Sequence, residues 1–67
     1  PQPVGEPGIL ETIRTLPRRQ SEVLLLRFQA DLSELEIAET LGISPGSVKT
    51  HASRGLAAIR ARLQERS

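Results

Sequence analysis

The sequence predicts an all-α fold, a compact four-helix domain with a C-terminal helix-turn-helix spanning residues 8–67. Three observations lead there. Apolar residues recur every three or four positions in four separate segments, the period of a helix buried along one side. Residues that end or restart helices punctuate the segments: Pro17, Ser33, and the run Gly42, Ile43, Ser44, Pro45. No stretch alternates apolar and polar residues as a half-buried strand does.

The elements follow in order. "PQPVGEPG" has three prolines and two glycines and reads as a linker or frayed tail over residues 1–7. Ile9, Leu10, Ile13 and Leu16 then predict a short helix over 8–15. Proline suits a first helical turn, so Pro17 opens a second helix over 17–30. Its apolar residues include Val23, Leu24, Leu26 and Phe28. Phe28, the one aromatic residue, is expected in the core. Ser33 with Glu36 three residues on is the capping-box pattern and starts a third helix over 33–41, with Ile37, Ala38 and Leu41 as its buried stripe. Gly42 stands where a left-handed C-cap is wanted. Ser44 as N-cap and Pro45 as first helical residue begin a fourth helix over 45–64.

On a wheel of about 100° per residue, Val48, Ala52, Gly55, Leu56, Ile59 and Leu63 of the fourth helix share one arc of about 100°. Leu41 and Val48 are expected to join the third helix to the fourth. Gly46, Ser47, Thr50, Ser53, Arg54 and Ala57 lie opposite, with Lys49 and His51 on the flanks. The outward face is therefore short side chains plus one arginine, bordered by basic groups. Such a face allows close approach.

Charge is sorted along the chain. The net charge is only +1 over 67 residues. Yet residues 1–43 set Arg14, Arg18, Arg19 and Arg27 against seven acids, whereas residues 44–67 set Lys49, Arg54, Arg60, Arg62 and Arg66 against Glu65 alone. A basic C-terminal part fits an anionic partner.

Several functions are set aside by composition. There is no cysteine, hence no disulfide and no thiolate chemistry. His51 is the one histidine, and a metal site needs three or four ligands. Glu36 and Glu39 read as a solvated face, and no glycine-rich phosphate loop is present. The longest apolar run, Val23 to Leu26, is far short of the roughly 20 residues of a membrane span. An enzyme, a cofactor and a membrane partner are not expected, and a cytoplasmic location is. No signal peptide is visible. The chain begins at Pro1 without a methionine, which leaves open whether it is a piece of something longer.

Two helices joined by a short glycine-containing turn make a helix-turn-helix. In DNA binders of this type the second helix lies in the major groove and its N-terminal residues meet base edges. The candidate DNA-binding residues are Ser47, Lys49, Thr50, His51, Ser53 and Arg54. Arg54 has the reach for a bidentate contact with guanine O6 and N7. Thr50 and Ser53 suit bases or phosphates, and Lys49 and His51 suit flanking phosphates. Lys49, Arg54, Arg60 and Arg62 are the candidate phosphate-neutralising cations.

Residues 16–63, "LPRRQSEVLLLRFQADLSELEIAETLGISPGSVKTHASRGLAAIRARL", resemble domain 4 (region 4) of bacterial RNA polymerase sigma factors, in particular the extracytoplasmic-function group. "LP", "VLLLRF", "LSELEIAETLGIS" and "GSVKTHASRGL" stand in the expected order. The resemblance implies sequence-specific DNA binding in transcription initiation: reading the minus-35 promoter element and docking on the β flap of the polymerase core. It also implies an anti-sigma factor or other regulatory protein as a further partner. Lys49, Thr50, His51, Ser53 and Arg54 take the recognition role by position. Many relatives have arginine where His51 stands and an aromatic where Glu34 stands. Two other readings share part of the pattern: the effector domain of a LuxR-type regulator, similar in "VKTHASRGL", and a fragment acting mainly as ligand of an anti-sigma factor.

Overall fold

The computed structural model describes residues 8–65 and contains α1 (Ile9–Arg14), α2 (Arg18–Phe28), α3 (Glu34–Leu41) and α4 (Pro45–Glu65). The four expected helices are present in order, and no strand occurs among the described residues. The tail over residues 1–7 and Arg66 lie outside them.

Each boundary has a local cause. Pro17 is the N-cap of α2, with an extended ψ of 146°, so that helix starts one residue later than expected. α2 also ends early, at Phe28. The Leu25 carbonyl accepts from the Gln29 and Ala30 amides, the Leu26 carbonyl accepts from Leu32, and Asp31 turns left-handed at φ 58°. These bonds satisfy carbonyls that the end of a helix leaves open. Ser33 and Glu36 close the capping box on α3: the Ser33 amide donates to Glu36 Oε1 at 2.9 Å, and the Glu36 amide donates to Ser33 Oγ at 3.2 Å. Gly42 takes the left-handed C-cap at φ 69°, and its amide donates to the Ala38 carbonyl.

α2 lies at the centre, packed against the other three helices, and its broadest interface is with α4. The core has two parts. Ile13, Leu16, Leu24 and Ile59 form one, joining α1, α2 and α4. Val23, Ile37, Ala38 and Val48 form the other, joining α2, α3 and α4. Ala52 touches both. Burying one aliphatic side chain is worth about 1.5–3 kcal/mol. Each helix therefore depends on a few residues, and α1, six residues long, would not persist alone.

The tightest approach is at Gly55, buried on α4. A Cβ there would fall 2.6 Å from Leu24 Cδ1 and 3.4 Å from Leu24 Cγ. Leu24 is itself completely buried, so it has little room to yield. Glycine in mid-helix costs about 1 kcal/mol against alanine, and here it lets α4 sit against α2.

Three expectations about the core need correction. Phe28 is 55% exposed. It edges a groove between α2, α3 and α4 that Ala52 and Glu34, one short and one polar, also line. Leu63 is also 55% exposed, because it lies a turn beyond Ile59, where the core along α4 ends. Leu41 is half-buried, so Val48 and Ile37 hold α3 to α4 more than Leu41 does.

Two outcomes follow from the packing and the cap. Gly55→Ala gains about 1 kcal/mol of helix propensity but crowds Leu24, and overpacking costs about 1–3 kcal/mol. Crowding wins, and the thermal midpoint falls by about 5 °C in a melting experiment; a rise would show that Leu24 moves aside freely. Glu36 has its carboxyl held below the ordinary carboxylate value, first by the Ser33 backbone amide and then by the Ser33 side chain. A depressed carboxyl contributes stability above its unfolded value and loses it as pH falls through the folded value. Glu36→Gln should therefore lower the neutral limb of a melting-temperature profile and flatten the fall below about pH 5, so that the two chains converge in acid.

Candidate nucleic-acid interface

The turn between α3 and α4 consists of Gly42, Ile43 and Ser44. The left-handed Gly42 reverses the chain, and the Ile43 amide donates to the Ala38 carbonyl at 3.1 Å. Ile43 packs against the α2–α3–α4 core and pins the turn. Ser44 then caps α4. Its Oγ accepts from the Ser47 amide at 3.1 Å, its hydroxyl donates to Ser47 Oγ at 3.0 Å, and its carbonyl accepts from the Val48 amide at 3.1 Å. A serine cap is worth about 1 kcal/mol. Here it fixes the start of the helix that carries the candidate contacts.

α4 has a buried face and an open one. Val48, Gly55 and Ile59 are buried, with Ala52 and Leu56 half-buried beside them. Lys49, Thr50, Ser53 and Arg54 are exposed and line one shallow concavity. Gly46 adds no bulk beside them: a Cβ there would meet only Ser44 Oγ, at 3.9 Å. Thr50 Oγ1 donates back to the Gly46 carbonyl at 3.1 Å. Ser47 is half-buried and belongs to the cap, and His51 is half-buried outside the concavity. Four of the six residues singled out from the sequence thus come together.

The charges match that division. Among the described residues the ion pairs are Arg18–Glu22 at 3.5 Å and Arg19–Glu22 at 3.1 Å, both on α2. Lys49 and Arg54 have no carboxylate partner there and face outward. α3 holds Glu34, Glu36 and Glu39 without a cation. Arg62 departs from the expectation that it meets phosphate: its Nη1 donates to Thr15 Oγ1 and so ties the end of α4 to the cap of α1. Sequence spacing gave no sign of that tie, because 47 residues separate the two. The outline of the groove edged by Phe28 is likewise not readable from spacing, since it needs three helices in place. Among the described residues no helix is long and apolar enough to cross a membrane, and no group of histidine and acidic side chains could hold a metal ion.

Comparison with known proteins bears on this site. A family model described as Sigma-70, region 4 matches residues 8–59. The chain is 39% identical over 57 residues to the ECF RNA polymerase sigma factor SigW of Bacillus subtilis (strain 168); the match covers 85% of this chain and 30% of that protein. No solved structure gave a significant match. The match decides against the LuxR-type reading. With a four-helix fold ending in a helix-turn-helix and a family match across most of its length, the chain belongs to the Sigma-70, region 4 family, in the extracytoplasmic-function group.

Proposed function

We propose that this chain reads the minus-35 promoter element as domain 4 of a sigma factor, with the outward face of α4 in the major groove. The observation that carries the proposal is the convergence of Lys49, Thr50, Ser53 and Arg54 in one open concavity, with no carboxylate among the described residues paired to either cation. Arg54 meets a guanine, because a guanidinium matches O6 and N7 together. Lys49, towards the side of the concavity, grips phosphate, and His51 takes a phosphate on the other flank. Ser53 serves as a second polar contact and Ser47 holds the cap near the backbone.

Docking on the β flap of the polymerase belongs to a different surface. The groove between α2, α3 and α4, where Phe28, Ala52 and Leu56 are accessible beside Arg27 and Glu34, offers a mainly apolar seat. It lies apart from the residues that line the concavity. An anti-sigma factor would compete there. The chain spans 30% of the relative it matches. These partners place the work in the cytoplasm. The role is binding, with no catalytic residue and no cofactor.

A titration against a promoter duplex and its single-base variants tests the reading. With Arg62 engaged by Thr15, Lys49, Arg54 and Arg60 are left as candidate cations. Three neutralised phosphates give a log–log salt slope of about −2.7. Arg54→Ala costs about 1–3 kcal/mol and relaxes preference at one guanine-containing step. Lys49→Ala weakens all sequences alike and shrinks the slope by about one. A slope near zero would assign the basic half to a protein partner. Uniform weakening by Arg54→Ala, with altered preference in Lys49→Ala, would mean that α4 is rotated in the groove.

A further inference from the structure

We propose that Thr50 is a hydrogen-bond acceptor for the exocyclic amino group of an adenine or cytosine, next to the guanine met by Arg54. This rests on α4 lying in the major groove as proposed above. A threonine hydroxyl has one hydrogen to donate and two lone pairs to accept with. The hydrogen of Thr50 is already committed. Oγ1 lies 3.1 Å from the Gly46 carbonyl oxygen, and a carbonyl can only accept, so the direction of that bond is fixed. Threonine in a helix commonly makes this bond to the carbonyl four residues back. What Thr50 presents to a ligand is its remaining acceptor capacity.

The neighbours in the concavity differ. Lys49 and Arg54 can only donate. Ser53 makes no hydrogen bond through its hydroxyl among the described residues, so it can donate or accept and does not discriminate between bases. The concavity therefore holds one side chain committed to accepting beside two that only donate.

Major-groove edges translate that pattern into bases. Adenine offers N6–H and cytosine offers N4–H as donors. Guanine and thymine present acceptors at the corresponding positions, and an acceptor facing an acceptor is repelled. Thr50 thus selects adenine or cytosine and rejects guanine and thymine on the strand it faces. Thr50 and Arg54 are four residues apart, a rise of about 6 Å along the helix. Successive bases on a strand rise about 3.4 Å. The two residues accordingly read positions about one or two base pairs apart.

The test is selection of bound duplexes from a pool with randomised positions, using this chain, Thr50→Val and Thr50→Ser. Thr50 is exposed, and valine keeps its shape while losing the oxygen, so the fold is not at stake; circular dichroism and a melting curve verify that. The wild type should enrich adenine or cytosine at one position near an enriched guanine. Thr50→Val should lower that preference about fivefold, the value of one hydrogen bond, while the guanine stays enriched. Thr50→Ser should retain it. An enriched wild-type pool that Thr50→Val leaves unchanged, or guanine or thymine at that position, overturns the assignment and leaves the groove placement standing. A wild-type pool without any enrichment overturns both.

Discussion

The close passage of α4 over α2 at Gly55 is the contact on which the rest of this small domain depends. α2 touches every other helix, and α4 carries the outward polar face, so their separation sets where that face points. A Cβ at position 55 would fall 2.6 Å from Leu24, a side chain with no exposed surface. Both halves of the core are built around the same pair of helices, with Ala52 shared between them. A domain this small buries only about 60% of its unfolded surface. It has no second layer to correct a misplaced helix.

That constraint explains how α4 is divided. Its inward side uses residues graded by space: Val48 where α3 is near, Ala52 between the two core halves, Gly55 at the crossing and Ile59 where α1 closes over. The outward side is relieved of packing and can be polar and short. The capped start, held by Ser44 and the left-handed Gly42, keeps the first turns regular where the candidate contacts sit. Thr50 belongs to both systems, because its hydroxyl is bonded to the Gly46 carbonyl of its own helix and that bond limits what the hydroxyl can offer.

Much of this was legible in the sequence because it is local. Ser33 with Glu36 and Gly42 with Ser44 act within a few residues, so caps and turn were readable and appear in the structure. The periodicity of α4 gave Val48, Gly55 and Ile59 as its inner side, and all are buried. Periodicity misled at helix ends. Phe28 and Leu63 continue the apolar stripes of α2 and α4, but a stripe says nothing about whether a neighbour reaches that far. Arg62 looked like one more basic residue until the fold brought Thr15 beside it. The grouping of Lys49, Thr50, Ser53 and Arg54 was readable from the wheel; the direction of the Thr50 hydrogen bond was not, since it depends on a rotamer.

The central claim is that α4 works through two faces, one fixed against α2 and one offered to DNA. Mapping backbone and side-chain chemical shifts by NMR, while a promoter duplex is added to the labelled chain, tests it most directly. Perturbations should concentrate at Lys49, Thr50, Ser53 and Arg54, while Leu24, Val23 and Ile37 stay as they are in the unbound chain. Perturbations centred instead on Phe28 and Leu56, or on Arg60 and Arg62 alone, would contradict it.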